Sequence, residues 1–206
     1  LASAIERLNK PEPEAPAPVE MRPKMKPTGD RDGVIFPVHG LAGGTGSTTM
    51  AVNLAWELAH IDLETPPSVC LIDLDFQNGA VSTYLDLPRR EAVLEMLQDT
   101  EKMDDDVFTQ ALLSFHDRLH VLPAPAEMIP LDLVTPEDIE RLLNVAAANF
   151  DYVVIDMPKT LIQWSEVVLM KAHVYFAPLE RRPSKPRIFP LKSCVLPSTV
   201  RPSGWM

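Results

Sequence analysis

Two apolar runs that end in acid stand out along the chain. Val69-Cys70-Leu71-Ile72 runs into Asp73, with Asp75 two residues on, and Val153-Val154-Ile155 runs into Asp156. Apolar text without alternation is what a strand covered on both faces requires, and such strands belong to parallel sheets. Residues 33–40 (GVIFPVHG), 119–125 (LHVLPAP) and 173–177 (HVYFA) predict three more strands. Pro37 is awkward in a central strand because it cannot donate to the ladder. Helical spacing predicts helices over 48–61, 91–98, 107–115, 135–150 and 161–172. Asp104, Asp105 and Asp106 suit the positive end of the third, and the fourth has Thr135 as cap, Pro136 at its first position and Asp138 three residues after the cap. Five strands alternating with helices predict an α/β, doubly wound, mostly parallel sheet with right-handed crossovers.

The two ends do not share this pattern. Of 21 prolines, six lie between Pro11 and Pro27 and six between Pro178 and Pro202. Residues 1–8 have helical spacing (Leu1, Ile5, Leu8) and are expected to close a helix of an upstream, receiver-like domain; 9–32 reads as a proline-rich linker. The globular domain is expected over 33–177. Residues 178–206 show neither a period of 2 nor of 3.6, which predicts an irregular basic tail, altered or out of frame.

Charge sharpens the division. The net is −10 overall, but residues 178–206 carry 6 basic groups and 1 acidic, and residues 1–29 carry 5 and 4. That leaves 8 basic against 24 acidic for residues 30–177. A body so acidic is a poor generic ligand for nucleic acid or anionic lipid. No apolar run approaches the roughly 18–20 residues of a membrane span. Two cysteines make no disulfide framework, and Cys70 falls inside a strand, so the composition is of cytoplasmic type.

The chemistry concentrates between the first strand and the first helix, in His39-Gly40-Leu41-Ala42-Gly43-Gly44-Thr45-Gly46-Ser47-Thr48-Thr49. Glycines there let backbone N–H groups converge on an anion at a helix N-terminus. The pattern GxxxxGK[ST] is not met, since Leu41 and Ser47 stand at its first glycine and its lysine. A glycine-rich turn without ligand remains an alternative for this motif alone. Asp73, Asp75 and Asp156 change the weighting, because ligands of open α/β sheets bind beyond the carboxyl ends of strands, where acids can hold Mg²⁺ and orient water. His39 reads as a strand-end histidine with a local hydrogen bond, Arg89-Arg90 as a solvated pair opening a helix, and Trp56 and Trp164 as packing residues.

AGGTGSTTMAVNLAWELA, LIDLDFQNGAVSTYLDL and FDYVVIDMP resemble the three nucleotide motifs of ParA/MinD-type P-loop ATPases. More narrowly, HGLAGGTG, the run YLDLPRREAVLEMLQDT and the stretch from LHVLPAP to DYVVIDMP are similar to CpaE/TadZ proteins, which localise and assemble Flp (tight-adherence) pili. The resemblance spans roughly residues 33 to 177. It implies that Gly43, Gly44, Thr45 and Gly46 wrap the β- and γ-phosphates of ATP, that Thr48 ligates Mg²⁺ and that Thr49 contacts the α-phosphate. It further implies that Asp75 positions the hydrolytic water, with Asp73 beside it, and that Asp156 is the Walker B acid, so that Thr48, Asp73 and Asp156 form the metal set. The family's signature lysine is Ala42 here and its P-loop lysine is Ser47. Losing one transition-state donor costs roughly 3–4 kcal/mol, so the resemblance implies ATP binding with weak or absent hydrolysis. It also implies a C-terminally incomplete domain, a homodimer in the intact protein, pilus secretion and assembly proteins as partners, and a cytoplasmic address at the inner face of the polar membrane, while the acidic body and the lack of a long apolar run predict no nucleic acid and no membrane insertion. A partitioning ATPase and a nucleotide-free interaction scaffold are the competing readings.

Overall fold

A computed structural model describes residues 29–130 and 133–179 and the strand Cys194–Pro197. Seven strands form one sheet: β1 (Val34–His39), β2 (Val69–Asp73), β3 (Leu113–Phe115), β4 (Leu119–Leu122), β5 (Tyr152–Met157), β6 (Val174–Ala177) and β7 (Cys194–Pro197). Their order is β3-β4-β2-β5-β1-β6-β7. The five central strands are parallel; β3 and β7 run antiparallel at the two edges. The helices are α1 (Ser47–Leu58), α2 (Val81–Tyr84), α3 (Glu91–Gln98), α4 (Asp105–Ala111), α5 (Pro136–Asn149) and α6 (Ser165–Lys171). Both faces of the sheet are covered, as the unalternated runs predict. Val69, Leu71 and Val154 pack under Ala51 and Ala55 of α1, whereas Cys70, Ile72, Val153 and Ile155 pack with Val93, Phe108, Leu142 and Val168 of α3 to α6. Each fully buried aliphatic contributes roughly 1.5–3 kcal/mol. Burial also pushes the Cys70 thiol up, away from thiolate chemistry.

Pro37 occupies a central strand after all, and the hydrogen-bond direction explains why. Ile35 turns its carbonyl and its N–H toward His173, just before β6, while Val34 donates to Asp151 on the β5 side. Pro37, two residues beyond Ile35, therefore faces β6, where the registered pairing is Val38 with Phe176. The missing donor falls on the shorter of the two ladders.

The cap expected on α5 is present: Thr135 N–H donates to Asp138 Oδ2 at 2.9 Å and Asp138 N–H to Thr135 Oγ1 at 3.3 Å. Asp104 caps α4 by accepting from Val107 N–H at 2.8 Å.

Three elements differ from the sequence reading. The helix expected over 107–115 ends at Ala111, because Leu113 to Phe115 pair with β4 and long-range pairing overrides local period. α2 was unforeseen, being only four residues long. The tail expected to be irregular contributes β7, against β6. The helix end at 1–8, most of the linker and the remainder of the tail lie outside the described residues. Where the linker joins the domain, Arg31 N–H donates to Ala148 O and its guanidinium to Asp151 Oδ2 at 2.8 Å.

Candidate functional site

Beyond His39 the chain turns through residues 40–46 and enters α1 at Ser47. Gly44 and Gly46 have φ of +80° and +76°, a region that disfavours any side chain. A Cβ on Gly43, Gly44 or Gly46 would meet nothing within 4 Å, so the loop stands open on that side. On the other side it is closed: a Cβ on Gly40 would lie 2.7 Å from Thr45 Oγ1 and from Ser47 Oγ. Thr45 Oγ1 also donates to Ala42 O at 3.0 Å. Gly46 offers no side-chain cap and the first turn of α1 holds no acid of its own, so its leading N–H groups have no capping side chain and the positive end of its dipole is not offset from within the helix.

The three carboxylates converge beside this turn. Register places Asp73 opposite Asp156, and Asp156 opposite Val38, one residue before the strand end that feeds the loop. Asp73 is 1% and Asp156 2% exposed. Thr48, in the first turn of α1, brings its hydroxyl beside Asp156 and favours the ionised carboxylate, while Asp156 Oδ1 is buried with no hydrogen-bond partner. Burial, opposed by the nearby Thr48 hydroxyl and reinforced by the charge of Asp75, raises Asp156 to about 6. Burial and then the Asp156 charge raise Asp73 to about 7.

A family model described as AAA domain matches residues 34–184. The chain belongs to this AAA-domain family of ParA/MinD-type P-loop NTPases. It is 30% identical over 129 residues to the septum site-determining protein MinD of Thermotoga maritima, covering 61% of this chain and 44% of that one. It spans about half the length of the curated relatives it matches. Its fold is similar to a ParA family ATPase from Chlorobium tepidum (TM-score 0.60, 20% identity, 70% of this chain and 59% of that one). It is also similar to MinD from Pyrococcus horikoshii, solved with Mg-ADP (TM-score 0.55, 20% identity, 71% and 57%).

In this ParA/MinD-type domain the carboxylates divide their work in a way the sequence does not state. Asp73 accepts from Asp75 N–H and from Val81 N–H, both at 3.1 Å, one on each oxygen. It holds the loop leaving β2, whereas Asp156 keeps an oxygen in reserve. Asp75 is half-buried and accepts from Asn78 N–H at 3.0 Å. An unsatisfied buried carboxylate oxygen beside a threonine hydroxyl is an all-oxygen donor set, and it fits Mg²⁺. Thr49 Oγ1 donates to Tyr84 Oη at 3.1 Å, so a tyrosine not singled out in the sequence sits at the loop's flank.

His39 makes its hydrogen bonds within the fold. Because a carbonyl only accepts, its Nε2–H donates to Lys159 O at 3.2 Å, which leaves Nδ1 to accept from Tyr175 Oη at 2.7 Å. The arginines open α3, Arg89 exposed and Arg90 half-buried, and both are engaged by carbonyls: Arg89 donates to Gly79 O and Pro125 O, and Arg90 to Gln110 O and Leu112 O. Trp164 is core, 1% exposed beside Phe76, and Trp56 packs on His60 and Phe115. Among the described residues, no helix is long and apolar enough to cross a membrane.

Gly79 shows how tightly the loop from β2 is set. A Cβ there would meet Ala124 Cβ, with Asp73 Oδ2 at 2.7 Å and Asp75 O at 2.9 Å. Gly79→Ala is expected to destabilise the domain by about 1–3 kcal/mol, read as a lower unfolding midpoint, and to displace the Asp73 carboxylate.

Proposed function

We propose that this chain binds ATP with Mg²⁺, splits it weakly or not at all, and serves as a positioning or scaffold protein in assembly of Flp (tight-adherence) pili. The observation that carries the nucleotide part is the pairing of Thr48 with Asp156, whose Oδ1 is buried without a partner beside an open glycine turn. The N–H groups of the turn and of α1 would receive the phosphates. Thr48 and Asp156 would hold Mg²⁺, which when bound neutralises phosphate charge. Asp75, free of the two N–H bonds that engage Asp73, is the carboxylate to orient a water. Without a cation at positions 42 and 47 each missing transition-state donor costs about 10²–10³ in rate, which supports a switch more than a turnover enzyme. The pilus role rests on the similarity of the 84–100 run to CpaE/TadZ proteins, as do the partners, the dimer and the polar address.

Equilibrium titration with a fluorescent ATP analogue tests the first part. Micromolar binding with Mg²⁺, weakened by EDTA, is expected; absence of binding at millimolar nucleotide leaves a nucleotide-free scaffold. Partitioning is the second reading, favoured by the ParA likeness and opposed by 24 acidic against 8 basic groups in residues 30–177. Retention on DNA at physiological salt would decide for it. Loss of surface pili on deletion of the gene tests the pilus role.

A further inference from the structure

A polyphosphate on this loop would add negative charge to a place that already holds Asp73, Asp75 and Asp156. The loop and α1 answer with amide dipoles alone, since residues 39–58 contain no lysine or arginine. Among the described residues, two basic side chains lie by the loops that leave the strands at their carboxyl ends. Arg89 is committed to the carbonyls of Gly79, after β2, and Pro125, after β4. Lys159, three residues beyond Asp156, is exposed, and no hydrogen bond or ion pair engages its ammonium among the described residues.

The root of Lys159 is nevertheless fixed. Its carbonyl accepts from Nε2–H of His39, which is 1% exposed, is held from its other side by Tyr175, and is followed directly by Gly40. His39 thus ties the exit of β5 to the entry of the phosphate loop, across 120 residues of chain. A lysine on such an anchor has a compact charge on a flexible four-carbon stem, suited to reaching a phosphate from outside the loop.

We propose that Lys159 supplies the cation for the terminal phosphate of a bound nucleoside triphosphate, in place of the cations missing from the loop. The assignment rests on the nucleotide-binding reading above. A charge-assisted contact with one phosphate predicts discrimination between tri- and diphosphate that depends on this side chain.

The test compares Mg²⁺-dependent binding of fluorescent ATP and ADP analogues to the full 206-residue chain and to its Lys159→Gln and Lys159→Arg variants, with the unfolding midpoint of each. Lys159→Gln is expected to lose about ten- to a hundred-fold in triphosphate affinity and little for diphosphate, at an unchanged midpoint. Lys159→Arg should keep most of the triphosphate affinity. Equal losses for both nucleotides, or none, overturn the assignment while leaving nucleotide binding intact. If the parent chain binds neither analogue, the nucleotide reading falls and this assignment with it.

Discussion

Asp156→Asn is expected to abolish the Mg²⁺ dependence of nucleotide binding and, at the same time, to make the empty protein harder to unfold. The two effects have one cause. Asp156 is 2% exposed, one of its oxygens has no partner, and burial lifts it to about 6 from the ordinary 3.8. A rise of two pK units corresponds to roughly 3 kcal/mol carried by the ionised group at neutral pH. The amide has the same shape and can still accept from Thr48, but it carries no charge to desolvate. It is also a poor ligand for a hard divalent cation, so the gain in stability should come with about 10²-fold weaker nucleotide binding at millimolar Mg²⁺, on the scale of a lost metal contact. Unfolding in denaturant at pH 8 without metal, beside the Mg²⁺-dependent titration, reads both. A variant that is less stable and still responds to Mg²⁺ would show that Asp156 is a structural hydrogen-bond acceptor only.

What was legible in the sequence follows from what each feature depends on. The five parallel strands were legible because a strand covered on both faces is apolar at every position, as in residues 69–72 and 153–155. The glycine turn and the acids were legible because left-handed glycines at 44 and 46 and strand-end carboxylates are local events. β3 was not, since Leu113 continues the helical period of α4 and only pairing with β4 makes it a strand. The different tasks of Asp73 and Asp156 were not legible either. They depend on the loop from β2 returning its Val81 N–H to Asp73 and on α1 bringing Thr48 to Asp156. The same holds for Tyr175 on His39, a contact across 136 residues.

The second large effect concerns pH. Without metal the protein is expected to lose stability as pH rises from about 4 to 7, a trend opposite to that of a domain held by carboxylate ion pairs. Asp73 and Asp156, at about 7 and about 6, keep protons in the folded state that the unfolded chain releases near 3.8. Below that value both states are protonated and there is no penalty. Between it and pH 7 the unfolded chain binds fewer protons, so each step up in pH favours unfolding, and above pH 7 the loss is complete. The size is roughly 3–6 kcal/mol, the two groups titrating as a coupled pair. His120 works the other way: burial lowers it from 6.5, so its contribution weakens as pH falls through that range. At Asp138 burial is outweighed by hydrogen bonds from Thr100 and Thr135 and by the charge of Arg141, so its carboxyl is lowered and matters only in stronger acid. Subtracting the pH profile of Asp156→Asn from that of the parent removes both, and the variant's advantage should be near zero at pH 4 and largest above pH 7. Saturating Mg²⁺ and nucleotide should reverse its sign at neutral pH, because the charge that burdens the empty site is the one the metal needs. A flat difference profile would mean that Asp156 is solvated in the folded protein, and the case for a metal-binding carboxylate would go with it.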